Sequence, residues 1–261
     1  MILNVVNGSF GYGNGRNLLN NINFSVDSGE VLTVLGPNGV GKTTMLKCSI
    51  GLLEWNKGDT FLKEKNIKEI SPKSLYKEIS YVPQAKYLAF SYSIENLVLM
   101  GRSTHIGLFS KPKARDIEIA HDALNELGIY HLKDKNCNAI SGGELQLALI
   151  SRSLAQEAKI LVLDEPESNL DFKNQLLILN TIRKLADNGK TCIFNTHYPE
   201  HALNIGDKAL ILGRDSQPVF GNVKDVIVEE NLENVFSVNV DIKENYAGSR
   251  PYTTVTALDI I

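Results

Sequence analysis

Three short stretches of this chain place reactive side chains at spacings that hydrolytic phosphate chemistry uses. The first is GPNGVGKT, in which Gly36, Gly41, Lys42 and Thr43 fill the fixed positions of the pattern G-x-x-x-x-G-K-[ST]. Glycines in such a loop let successive backbone N–H groups turn inward around a phosphate, and the N-terminus of the following helix adds its positive end. Pro37, Asn38, Gly39 and Val40 complete the cradle, and Thr44 follows in the first turn of the helix. Lys42 is expected to reach the β- and γ-phosphates, and Thr43 to hold Mg²⁺. The second stretch, ILVLDEP, ends an apolar strand with Asp164 and Glu165. Successive residues of a strand point to opposite sides, so Asp164 is read as a holder of Mg²⁺ and Glu165 as the general base facing the attacking water. The third is TCIFNTH, whose His197 is placed to hold the γ-phosphate or the water. Gln84, closing ISYVPQ, is read as a further Mg²⁺ contact through its amide oxygen.

A second glycine-rich helix start, ISGGELQLALI at 140–150, raises a separate question. Ser141 and Glu144 have the spacing of a capping box, but a helix start does not need two glycines, each of which costs roughly 0.5–1 kcal/mol relative to Ala inside a helix. One nucleotide does not need two cradles in one subunit. Two chains meeting head to tail would let Ser141, Gly142, Gly143 and Glu144 of one close over the γ-phosphate held by the other. The approach of that phosphate is then the expected reason that both glycines lack side chains.

The elements around these stretches read as an α/β chain with a mostly parallel sheet. Strands are expected at LNVVNGSF, INFSVDSG, EVLTVLG, ISYVPQ, KILVLDEP, TCIFNTH and KALILG, with a mainly helical insertion from about residue 85 to 154. The tail beyond Asn222 reads as a helix and a short strand. With 261 residues, 43% hydrophobic, 22% charged and a net charge of −3, the composition is that of an ordinary soluble chain. Nothing in the charge points to a nucleic-acid surface. No apolar run approaches the roughly 18–20 residues that span a bilayer, and the N-terminus lacks the pattern of a signal peptide. Cys48, Cys137 and Cys192 have no metal-ligand or C-x-x-C spacing and read as buried, reduced thiols.

The ordered set of motifs resembles the ATP-binding-cassette (ABC) ATPases over residues 2–240. The phosphate loop at 36–43, the Gln loop at Gln84, the signature at 140–144, the carboxylate strand at 160–165, the D-loop SNLD ending at Asp171, and His197 stand in that family's order. The resemblance implies a phosphate-loop NTPase fold with a RecA-like, mostly parallel sheet core, an N-terminal antiparallel β subdomain and an inserted helical subdomain. It implies one nucleotide-binding domain at 1–240 and a tail at 241–261. It also implies ATP and Mg²⁺ as cofactors, an adenine-stacking aromatic at Tyr12 or Phe10, and action of Ser141, Gly142, Gly143, Glu144 and Asp171 on ATP across a homodimer. SIENLVLMGRSTHIGLFSKP and NVFSVNVDI are similar to importer subunits for iron–siderophore, haem and cobalamin, and VLMGRSTHI is similar to a molybdate/tungstate member. The implied partners are integral-membrane permease chains docking near residues 85–102 through Tyr87, Leu88, Phe90 or Tyr92, and indirectly a substrate-binding protein, with no nucleic acid. The implied location is the cytoplasmic face of the membrane, as a peripheral subunit. The alternative is a soluble cassette ATPase outside transport, as in iron–sulfur cluster assembly. Ile140, Leu147, Glu167 and Tyr198 depart from common family residues without removing a catalytic group.

Overall fold

The computed structural model describes residues 1–13, 17–84, 91–107, 110–214, 216–248 and 250–261. They form two compact units, Met1–Ile70 with Ile182–Ile261, and Ser71–Thr181.

In the first unit, β1 (Leu3–Phe10) pairs antiparallel with β2 (Leu19–Val26). Leu3, Val5, Ile22, Phe24 and Val26 are buried while alternate neighbours face outward, the pattern of strands covered on one face. β3 (Val31–Leu35) is buried at all five positions. The phosphate loop follows it and runs into α1 (Lys42–Ser49). β4 (Lys57–Leu62) and β5 (Lys65–Asn66) complete an antiparallel sheet in the order β2-β1-β4-β5.

The second unit begins with α2 (Pro72–Glu78), capped by the Ser71 hydroxyl, which leads into β6 (Ile79–Val82). α3 (Ile94–Leu99), α4 (Ala114–Glu126) and α5 (Gly142–Ala155) pack against one another. β7 (Ile160–Leu163) is buried at every position and runs parallel to β6, with Tyr81 opposite Val162. The chain then enters α6 (Phe172–Asp187) and returns to the first unit within it.

There β8 (Thr191–Asn195) lies parallel to β3. α7 (Pro199–Ile205) and β9 (Lys208–Ile211) follow, β9 parallel to the other edge of β3, and β10 (Val219–Asn222) closes that side antiparallel to β9. The glycine-rich loop therefore springs from a strand flanked on both sides, which fixes its starting point. α8 (Val223–Val226) and α9 (Glu229–Phe236) lead to a hairpin of β11 (Val238–Ala247) and β12 (Arg250–Ile260). The tail is thus two short helices and two long strands rather than one helix and one short strand. Val238, Val240, Ile242 and Val255 anchor the hairpin on the core around α7, α8 and α9. Val238, Val240 and Ile242 alternate with polar residues and mark one short strand, while the rest of both strands is defined by their mutual pairing.

Candidate active site

The phosphate loop is shaped by contacts within its own unit. Gly36 has φ +149°, and a Cβ there would lie 2.3 Å from the Leu212 carbonyl oxygen, so only glycine fits. The Asn38 carbonyl accepts from Arg214 at 3.3 Å. α1 has Gly41 at its N-cap and no side-chain cap, and the positive end of a helix favours an anion. Lys42 is 4% exposed. Its Nζ donates to the carbonyls of Gly36 at 2.7 Å and Pro37 at 3.2 Å, and lies 3.2 Å from His197 Nδ1. An ammonium has no lone pair, so Nδ1 is the acceptor in that contact. The pairing joins residues at the ends of two elements distant in sequence, α1 and β8. Of the two candidate adenine-stacking rings, Phe10 is buried and Tyr12 is 63% exposed. Their centroids are 4.9 Å apart, edge to face, and the Tyr12 hydroxyl is 3.2 Å from Thr44 Oγ1.

The carboxylates stand at the end of β7. The Asp164 N–H donates to the Val82 carbonyl at 2.9 Å, extending the ladder by one residue. Asp164 is buried, and Tyr81 donates its phenolic O–H to Asp164 Oδ2 at 2.8 Å. Burial, and then the Asp164 charge, push the Tyr81 phenol well above its ordinary value, so it stays a donor at neutral pH. Glu165 has φ +45°, a left-handed conformation that costs a side-chain-bearing residue roughly 1–2 kcal/mol and that gathers at functional sites. Its Oε2 accepts from Gln84 Nε2 at 3.2 Å and from Ser168 Oγ at 3.1 Å. Gln84, expected to offer its amide oxygen to a metal, therefore turns its nitrogen to the candidate base. Tyr81 does not stand out in the sequence, because a tyrosine in a strand carries no spacing signal of its own, and Ser168 stands out only as the first residue of the D-loop.

At the signature, the capping box forms as expected. Ser141 Oγ accepts from the Glu144 N–H at 3.3 Å, while Glu144 Oε2 accepts from the Ser141 N–H at 2.7 Å and hydroxyl at 2.8 Å. The Ser141 backbone N–H and then its hydroxyl hold the Glu144 carboxyl below the usual carboxylate range. Within the chain itself the two glycines differ. A Cβ on Gly143 would lie 2.5 Å from Cγ of Asn174 in α6, within the same chain, whereas one on Gly142 would meet only Leu170 at 3.5 Å. Asp171 caps α6, its Oδ1 accepting from the Asn174 N–H at 2.8 Å.

Tyr87, Leu88 and Phe90 lie outside the described residues. Tyr92 is exposed and lines a groove of about 810 Å³ with Asn96, Leu99 and Met100. Arg102, at the far end of the expected docking stretch, is buried and donates to Asp116, Glu157 and the Ala155 carbonyl, so it ties α4 to the end of α5. The other histidines serve packing contacts: His121 meets Glu95 at 2.6 Å and His105 meets the Gln156 carbonyl at 2.9 Å. All three cysteines are buried and free, and burial pushes the Cys48 and Cys192 thiols up to about 12, which makes them poor nucleophiles.

The first unit holds a strand, a glycine-rich loop and a lysine-led helix, and the second a parallel strand ending in the buried Asp164 and the half-buried Glu165, the elements of a phosphate-loop nucleotide hydrolase. Residues 19–168, more than half the chain, match the ABC transporter family, to which the chain belongs as an ATP-binding, ATP-hydrolysing subunit. Among its relatives is the molybdate import ATP-binding protein MolC of Haemophilus influenzae, 37% identical over 90% of this chain and 87% of its own length. Another is a probable iron chelatin transport ATP-binding protein of Helicobacter pylori, 40% identical over 81% of this chain and 86% of its own length. A solved structure described as an inward-facing conformation of a metal-chelate type ABC transporter superposes with a TM-score of 0.89 at 34% identity. It covers 98% of this chain and 97% of that one.

Proposed function

We propose that this subunit energises a membrane importer of a metal chelate or a metal oxyanion, working as a head-to-tail homodimer with two composite ATP sites. The observation that carries the nucleotide site is the N-terminus of α1, which has glycine at its N-cap and no side-chain cap, beside the buried Lys42 ammonium. The solute class rests on the relatives named for molybdate and iron chelatin transport and on the metal-chelate type neighbour. Those names also disfavour a cassette ATPase outside transport.

In this reading Lys42 and the loop N–H groups bind the β- and γ-phosphates, and Tyr12 stacks on adenine. The donors assigned to the metal are the Thr43 hydroxyl, the Asp164 carboxylate and the Gln84 amide oxygen. An all-oxygen set with one buried carboxylate suits a hard cation such as Mg²⁺. When bound, Mg²⁺ would neutralise the negative charge that develops on the phosphates. Glu165 takes the proton of the attacking water once Gln84 and Ser168 release its Oε2, and His197 orients the water and the γ-phosphate. Ser141, Gly142, Gly143, Glu144 and Asp171 act on the nucleotide of the partner copy. The groove at Tyr92 and Met100 receives a cytoplasmic segment of the permease. Among the described residues no helix is long and apolar enough to cross a membrane; the spanning partners proposed are separate permease chains, as importer ATP-binding subunits of this family have. A substrate-binding protein delivers the solute to them, and this subunit sits peripherally on the cytoplasmic face.

Glu165→Gln tests the chemistry. It keeps size and hydrogen bonding but removes the base, so turnover should fall about 10²–10⁴-fold while the variant runs as an ATP-dependent dimer in size exclusion. Hydrolysis at the parental rate in the assembled transporter would place the base elsewhere. Uptake of molybdate or an iron chelate by cells carrying this subunit with its permease tests the solute class, and transport of neither sinks it.

A further inference from the structure

The geometry points to Tyr81 as a positioning residue that sets the metal-holding carboxylate of Asp164. Tyr81 lies opposite Val162 in the parallel β6–β7 ladder. Side chains alternate along a strand, so Asp164, two residues beyond Val162, emerges on the same face as Tyr81. The register thus delivers the phenol to the carboxylate, and the O–H donates to Oδ2 at 2.8 Å. The ladder extends to this residue through the Asp164 N–H and the Val82 carbonyl at 2.9 Å, so backbone and side chain are both held from β6.

The terminal torsion of an aspartate is broad and roughly two-fold, and by itself the carboxylate plane is weakly defined. A donor committed to one oxygen removes that freedom. Hydrogen-bond partners of metal-holding groups typically contribute 10–100-fold to metal affinity or activity. Tyr81 therefore acts through Asp164 on the metal and not on the nucleotide itself. The inference rests on the proposed role of Asp164, and the experiment separates the two.

The full-length chain is titrated with a fluorescent ATP analogue in EDTA and again with Mn²⁺, whose binding is followed by electron paramagnetic resonance. The quantity read is the gain in nucleotide affinity that the metal confers. Tyr81→Phe keeps the ring and removes only the hydroxyl. It should leave affinity in EDTA unchanged and cut the metal-linked gain about tenfold. Hydrolysis should then need more Mg²⁺ for half-maximal rate and recover at saturating metal. Asp164→Asn should abolish the gain, and the double variant should match Asp164→Asn alone, because the hydroxyl has no other route to the metal. In the otherwise native chain, Asp164→Asn should also shift the near-ultraviolet tyrosine absorption to the blue, a readout that does not depend on the Phe variant folding. A parental metal-linked gain in Tyr81→Phe overturns the proposal, as do an equal loss of affinity in EDTA, a further loss in the double variant, or an unshifted spectrum. If Asp164→Asn itself keeps the full gain, the assignment of Asp164 fails instead.

Discussion

The chain starts two helices with glycines, and the two starts are built in opposite ways. α1 has Gly41 at its N-cap and no side-chain cap. α5 is closed by its own Ser141 and Glu144 in a reciprocal box. An uncapped start leaves orphan N–H groups and positive helix charge for a ligand. A capped one has already satisfied part of that need from within. Before Ser141 can donate to a γ-phosphate, its hydroxyl must leave the Glu144 carboxylate 2.8 Å away. The first start has no cap from its own side chains, whereas the second is held in a self-satisfied form, which under the proposed function the γ-phosphate of a partner copy would have to open.

The largest test of this contrast is Lys42→Ala. It removes the buried ammonium beside the start of α1, and turnover should fall at least 10²–10³-fold, the loss typical of one preorganised donor, with ATP affinity falling as well. Persistent nucleotide binding in equilibrium titration would mean that the bare helix start suffices.

Gly142→Asp comes next and acts on the closed start. It adds negative charge where the partner's γ-phosphate is expected, so ATP-dependent dimers and hydrolysis should disappear while isolated chains bind ATP as before. Binding lost equally in the monomer would show that the signature does not act across an interface.

A smaller effect separates the two glycines of that start. Gly143→Ala drives a methyl into Asn174 and should destabilise the fold by about 1–3 kcal/mol, the usual cost of overpacking. Gly142→Ala should be close to neutral, and Asn174→Ala should restore part of the loss in the Gly143 variant. Urea unfolding of the four chains measures this, and equal stabilities for the two alanine variants would contradict it.

The smallest effect is on pH. The Glu144 carboxyl is held below its ordinary 4.5 by Ser141. A carboxyl lowered in the folded state binds protons more readily when unfolded, so its stabilisation is present above about pH 4.5 and is lost as pH falls through the folded value. Melting curves from pH 6 down to pH 3 should therefore decline less steeply for Glu144→Gln than for the parent. Parallel curves would show that the box is not held by charge.

These comparisons also mark how far the sequence could be read. The phosphate loop, the capping box and the apolar strand ending in Asp164 and Glu165 were legible because each is a contiguous stretch. Backbone turns, helix caps and strand alternation act over a few residues, so residue type and spacing encode them directly. Both buried strands and the helices α3, α4 and α5 follow from the same local rules. The tail hairpin was legible only as one short strand, since the rest of both strands is specified by their pairing and by the core beneath them.

By itself, the sequence determined the phosphate cradle, the acid pair and the family, because those depend on short-range geometry that a motif spells out. The tertiary structure alone decided which side chains meet. Tyr81 reaches Asp164, Gln84 and Ser168 converge on Glu165, Lys42 rests against His197, and Asn174 crowds the space where a Gly143 side chain would stand. Most of these pairs join residues far apart in the chain, and strand register and helix packing bring them together. Hydrogen bonds and hard-core contacts act only over a few ångströms, so spacing along the sequence does not encode them.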